Sequence, residues 1–577
     1  MTRTLLVGPA GVGLSDVVAR FTKSAGSIAD VEGLEVFYVE HDLLAATDWL
    51  SPQFPFTATR NMRDLLLGVT RRELMELWTA ALERCIERAD ASSAPHTVIA
   101  FHPSLYAFSR NEQYSTVGWA LASGRLTGID RVVLLIDDVY DMWERLAVDK
   151  GALFHHAEWL RRRLEAQKLD DLIVFDGADS ATPKEESSDT FDGLVMDSAH
   201  AILGRLLAWR HLDMVEAESL ASTLGAPLTA LGVKHPFDAL RTLIIKPATV
   251  TAYLSHPISR PRRARRGGSE WPAVVTESNE LSPKFSELDV VLVCPTAIDE
   301  FRFEQPTERQ AIFSRPFELG ERWPPLVHQD DAISAAAHPS DRLTHIPLVS
   351  RSSLTAGATA RSIETEIYAE VPFRDHYLVT HTSSFFVFRP LYEEGEFSGG
   401  VRAEIAHWQQ LANFESGRRA LFVHAEEDVR LIEAHLDEQP LRERIRSRMR
   451  DYLKRRGLPE ENIDDLLSGR PLRSDMLAAD TPSPGVLNQL LKDARDHAGK
   501  DLFFAALTAL APESWLQDER VTLSVLRSPA PSRNELVEYA GFLKGESSLD
   551  HNGDYFREIE RTIGATMSEW ISRRMDA

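Results

Sequence analysis

Short, wholly apolar runs recur through the first 215 residues of this chain, each followed by a longer stretch of helical periodicity. They fall at residues 4–7, 36–39, 98–101, 132–136 and 172–175. Runs of this length read as buried strands, and strands separated by helical stretches predict βαβ units. The expected result is a mostly parallel sheet with helices on both faces. Residues 203–209 read as its closing helix and 216–245 as a helical connector. A second rhythm of the same kind begins at 250–254 and continues at 290–294. It is expected to add strands at 377–379 with 385–388, and at 420–423. Residues 302–363, rich in Pro, His and Ser, read as an insertion or long loop, whose length points to a functional or mobile segment. Beyond 430 the patterns are helical, at 429–436, 441–455, 486–497, 502–510 and 556–573. The predicted order is α/β over 1–215, the connector over 216–245, α/β over 246–430, and an all-α domain over 431–577.

Composition narrows the partners. The chain has 577 residues, 43% of them hydrophobic, which suits about three domains with real cores. Sixty-four basic residues against 87 acidic ones give a net charge of −23, so nucleic acid is not an expected direct partner. The two cysteines, Cys85 and Cys294, support neither a disulfide framework nor a cysteine-based zinc site. The histidines His102, His256, His376, His381 and His407 show no ligand spacing, so no metal site is assigned. No apolar run approaches the roughly 18 residues of a membrane span, and residues 4–7 are too short for a signal-peptide core. A cytoplasmic protein is the expectation.

Two glycine turns carry the chemistry. The first, Gly8-Pro9-Ala10-Gly11-Val12-Gly13-Leu14-Ser15, joins a predicted strand to a predicted helix. Its glycines Gly8, Gly11 and Gly13 can present N–H groups to a phosphate, and Ser15 can reach a Mg²⁺ ion. Leu14 stands where the phosphate-loop lysine belongs. With this loop, and with Ile136-Asp137-Asp138-Val139-Tyr140-Asp141 followed by Arg145, the first 200 residues resemble P-loop kinase-like NTPases, nucleoside-monophosphate kinases especially. The resemblance implies ATP or GTP with Mg²⁺ as the ligand of this loop. The absent lysine argues against turnover, because phosphoryl transfer depends on placed charge. Asp137 and Asp138 read equally as a Walker-B pair or as a helix N-cap.

The second turn is Phe397-Ser398-Gly399-Gly400-Val401-Arg402-Ala403-Glu404, placed after the run at 384–388 and before a helical stretch. Backbone N–H groups there can hold a phosphate while Glu404 faces what the phosphate is attached to. Two further segments accompany it, Tyr253-Leu254-Ser255-His256-Pro257-Ile258 and Arg374-Asp375 ahead of Phe388-Arg389-Pro390. With all three in order, residues 250–425 resemble the nucleoside 2-deoxyribosyltransferases and their relatives that hydrolyse nucleoside monophosphates. The resemblance implies that Glu404 attacks the anomeric carbon or stabilises its positive charge. It further implies that Asp375 protonates the departing base and that Tyr253 orients the glutamate or the sugar. It needs no cofactor for that reaction. Members that act on free nucleosides have aspartate at the position of Ser398. Serine there removes a negative charge and favours a 5′-phosphate, with Ser398, Gly399, Gly400 and Arg260 as its binding residues.

Each of these residues also admits a plainer role. Glu404 as a first-turn acid would complement the helix dipole. Asp375 would sit in a surface turn, Tyr253 in a strand interior, and Ser398 in a turn. The basic run from Arg260 to Arg266 would be a solvated loop. Asp299 and Glu300 read as an acidic loop or as lining for the base. The family's habit of completing sites across subunits implies a homo-oligomer. A nucleotide sensor joined to a nucleotide-destroying enzyme suits bacterial antiviral defence or control of nucleotide salvage, by analogy of layout. A deoxyribosyltransferase, an NAD glycohydrolase and a non-catalytic nucleotide-binding regulator are the rival readings.

Overall fold

A computed structural model describes residues 2–24, 33–50, 62–107, 112–143, 145–146, 187–246, 248–258, 273–298, 358–390, 397–425, 439–467, 520–526 and 530–549, with a few positions between 486 and 494. The chain is α/β. Its strands are β1 (Thr2–Val7), β2 (Leu34–Tyr38), β3 (His96–Phe101), β4 (Ser104–Ala107), β5 (Glu112–Ser115), β6 (Arg131–Ile136) and β7 (Leu228–Gly232), followed by β8 (Val250–Ser255), β9 (Val290–Val293), β10 (Ser384–Phe388), β11 (Arg419–Ala425) and β12 (Val521–Leu526). One five-stranded sheet has the order β2-β3-β1-β6-β7 and a second the order β12-β11-β10-β8-β9; β4 and β5 form a small antiparallel hairpin. The pairings recorded within the two large sheets are parallel. Every residue of β6, β9 and β10 is buried, as expected of parallel strands covered on both faces. Among the described residues no helix is long and apolar enough to cross a membrane.

The chain forms two compact units. The first comprises Met1–Tyr253, Ser269–Trp271 and Asn279–Thr382; the second comprises Leu254–Gly268, Pro272–Ser278 and Ser383–Ala577. Three expectations need correction. Residues 216–245 are not purely helical: the helix Ser187–Leu224 runs into them, and β7 follows and pairs with β6. Residues 431–577 are not all-α, because β12 lies among them and pairs with β11 from Ala420↔Val521 to Ala425↔Leu526. Residues 377–379 are not a strand but part of the helix Ala358–Thr380. Three apolar residues fit a helix stripe as well as a strand, and the surrounding period decides. The helix Gln439–Arg455 matches its expectation, and Arg446 and Arg450 both pair with Asp464. The strand expected at 172–175, the helices at 429–436, 502–510 and 556–573, and most of the segment 302–363 lie outside the described residues.

Two buried histidines make both units sensitive to acid. His235, just after β7, accepts the Cys294 N–H at Nε2 (2.8 Å) and bonds the Gly232 carbonyl through Nδ1 (2.9 Å). Burial pushes His235 and His256 down to about 4, against backbone contacts that act in the other direction. Between pH 6.5 and 4 the unfolded chain binds protons that the folded chain refuses. Stability therefore falls on acidification through that window, by about 1.4 kcal/mol per pH unit for each histidine. Urea unfolding at pH 7 and pH 5 is expected to show the loss, and His235→Gln to flatten the slope.

Candidate functional site

The second sheet places one candidate site. From β8 the chain passes to its neighbour β9 on one side, then returns across β8 to β10 and continues to β11 and β12 on the other. Connections leave β8 and β10 in opposite directions, and α/β sheets hold ligands at the carboxyl ends of strands where the order reverses in this way.

The helix after β10, here α1 (Gly399–Ala412), starts where its residues dictate. Ser398 is extended (φ −63°, ψ 157°) and its Oγ accepts the Val401 N–H at 3.3 Å, an N-cap bond. The buried residues Val401, Glu404, Ile405, Trp408 and Ala412 form the stripe expected of a helix covering a sheet, with Trp408 stacked on Phe385 of β10. Glu404 is the charged member of that stripe and is 6% exposed. It lies in the second turn, so complementing the helix dipole does not account for it. A carboxylate among apolar neighbours is costly unless hydrogen-bonded. Its Oε2 accepts a bond from Ser255 Oγ at 2.5 Å. Ser255 is the last residue of β8, so this bond ties α1 to the carboxyl end of β8.

Two backbone features mark the segment between β10 and α1. Arg389, directly after β10, has φ 45° although it is not glycine, and its N–H bonds the Val423 carbonyl at 2.7 Å. Such strain costs on the order of 1–3 kcal/mol and gathers at functional sites. Gly399 and Gly400 are exposed, and a Cβ on either would meet nothing within 4 Å. The first turn of α1 therefore opens onto space.

The remaining expected residues are placed as follows. Tyr253 is fully buried on β8, two residues before Ser255 and so on the same strand face, and it belongs to the first unit. Asp375 also belongs to the first unit. It sits in the helix Ala358–Thr380 rather than in a turn, and Arg374 binds its Oδ1 through Nε (3.0 Å) and Nη2 (2.7 Å). Arg260, Asp299 and Glu300 lie outside the described residues. What the structure brings together is Glu404 and Ser255. Ser255 was missed as a site residue because its partner is 149 positions away. Only the sheet order joins them.

The first unit carries a second constellation. The loop of Gly8, Gly11 and Gly13 follows β1, and the helix Leu14–Ser24 begins at its end, with Ser15 exposed. Gly11 (φ 88°) is confined twice over, since a Cβ there would fall 2.7 Å from Leu146. His102, after β3, bonds the Gly8 carbonyl through Nδ1 (2.6 Å) and the Tyr38 hydroxyl through Nε2 (3.2 Å). On the loop's other flank, Arg145 donates to the Gly11 carbonyl and to Asp137 Oδ2, each at 2.6 Å. Asp138 caps the short helix Val139–Trp143 by accepting the Asp141 N–H at 2.9 Å, which supports the N-cap reading. Lys234, two residues beyond β7, reaches all three aspartates, at 2.7 Å from Asp137 and 2.6 Å from Asp138, and in contact with Asp141. No local sequence signal marks Lys234; the pairing of β6 with β7 delivers it.

No family model matches this chain, and no curated protein matches it. The functional reading therefore rests on geometry and on the motifs themselves.

Proposed function

We propose that the second unit cleaves the N-glycosidic bond of a nucleoside 5′-monophosphate, with Glu404 as the reacting carboxylate. One observation carries this reading. A buried carboxylate on the helix after β10 is held by a serine at the carboxyl end of β8, the part of an α/β sheet where ligands bind. Breaking a bond from sugar to base builds positive charge at the anomeric carbon, and an ionised carboxylate there stabilises that charge or attacks it. The Ser255 hydroxyl donates to Glu404 and so fixes the orientation of the carboxylate. The open N-terminal turn of α1 suits the 5′-phosphate: its first N–H groups and the dipole favour an anion. The Ser398 hydroxyl accepts its capping bond and keeps its own proton to donate. This is the chemistry of the nucleoside 2-deoxyribosyltransferase relatives that hydrolyse monophosphates, and the 2-1-3-4-5 strand order of the second sheet is compatible with it. The roles implied for Tyr253 and Asp375, residues of the first unit, are tested by Tyr253→Phe and Asp375→Asn. A phosphorylated ligand at the Gly8–Ser15 loop would make the first unit a regulator, and a homo-oligomer is the expected assembly.

Incubation with a nucleoside monophosphate and a second, isotopically labelled free base separates the outcomes. Hydrolysis gives free base and sugar phosphate; incorporation of label into nucleotide would make the enzyme a transferase. Ser255→Ala leaves the acid in place without its orienting donor. It is expected to lower kcat by about 10-fold with little change in KM, the cost of one charge-assisted hydrogen bond.

A further inference from the structure

The P-loop resemblance of the first unit implies a Mg²⁺ ion held by acidic residues at a strand end beside the glycine loop. Asp137, Asp138 and Asp141 do converge there, with ligand atoms within 4.8 Å of one another and all three side chains buried. The centre they enclose already holds a cation, the Nζ of Lys234, which is itself 5% exposed. The ammonium stands at ion-pair distance from all three carboxylates and donates a hydrogen bond to Asp138 Oδ2, so the centre is filled by a positive charge. Arg145 binds Asp137 as well, and Arg210 Nη1 donates to the Asp137 carbonyl at 3.1 Å. Two cationic side chains, Lys234 and Arg145, thus pair with the three carboxylates, while Arg210 holds the Asp137 backbone. A Mg²⁺ ion needs oxygens at about 2.0–2.1 Å in octahedral array and cannot share that centre with an ammonium. Leu14, at the position of the phosphate-loop lysine, carries no charge and packs into the core, 1% exposed. The residues do not fit a metal.

We propose that Lys234 is a built-in cation occupying the place of the divalent metal, so that whatever phosphate-bearing ligand the glycine loop takes is bound without Mg²⁺. Replacing the ammonium by a neutral side chain of similar length would then create a cation site where none exists. The test is thermal melting of the full chain and of Lys234→Met in EDTA, and in rising MgCl₂, MnCl₂ or CaCl₂ at constant ionic strength. The wild type is expected to show no saturable shift. Lys234→Met is expected to melt lower in EDTA and to regain on the order of 5 °C at saturating cation. Adding Asp138→Asn should remove that response. A saturable shift in the wild type that Asp137→Asn abolishes would overturn the proposal, as would a folded Lys234→Met indifferent to all three cations. Should Lys234→Met not fold, Mn²⁺ titration of the wild type followed by electron paramagnetic resonance decides: no bound Mn²⁺ supports the proposal, and a bound equivalent lost in Asp137→Asn defeats it. Neither arm reads base release, so the glycosidase reading stands or falls separately.

Discussion

If the second unit is the proposed glycosidase, Glu404→Gln is expected to lower kcat for nucleoside monophosphate cleavage by about 10³-fold while the protein still folds and still binds its substrate. The size follows from what the change removes: glutamine keeps the shape and can still accept the Ser255 bond, but it carries no charge for the anomeric carbon. The change leaves the proposed phosphate-binding turn at Ser398–Gly400 unaltered, so KM is expected to move little. Steady-state kinetics with thermal melting of the same preparations checks both halves. A structural Glu404 would give the opposite pattern, in which the variant melts at a shifted temperature and turns over at the wild-type rate.

Lys234→Met destabilises the first unit by about 3–5 kcal/mol, the cost of leaving buried carboxylates without their cation. Lys234 contacts three of them, and the closest alternative charge, Arg145, is already committed to Asp137 and the Gly11 carbonyl. Urea unfolding at pH 7 followed by tryptophan fluorescence measures the loss. Adding Asp138→Asn and Asp141→Asn removes two of the stranded charges and is expected to recover much of the stability. A loss below about 1 kcal/mol would mean that water reaches the cluster and screens it.

The sequence revealed some parts of this molecule far better than others, for physical reasons. The runs at 98–101, 132–136, 290–294 and 385–388 were legible because strands buried on both faces must be apolar throughout. Strand β7, Leu-Thr-Ala-Leu-Gly, is short, ends in glycine and follows Pro227, so it reads as connector. Strand β12 alternates Val521, Leu523 and Val525 with Thr522 and Ser524; that period-two signal was present and was lost among helical surroundings. The helix opening at Ser398 was legible in its cap and glycines, and so was the buried stripe that carries Glu404. The exact turn was not: the helix starts at Gly399, which puts Glu404 in the second turn, beyond the reach of the dipole. Ser255 with Glu404, and Lys234 with its aspartates, are joined by sheet order alone, across 149 and about 95 positions. No local pattern encodes such pairs.

Mass spectrometry of the purified protein, incubated with nucleosides, nucleoside 5′-monophosphates and NAD⁺ beside its Glu404→Gln variant, tests the central claim most directly. The predicted result is free base and sugar phosphate from at least one monophosphate, in excess over the matching nucleoside, and no release by the variant. Release at equal rates by both proteins, or intact substrates throughout the panel, would contradict it.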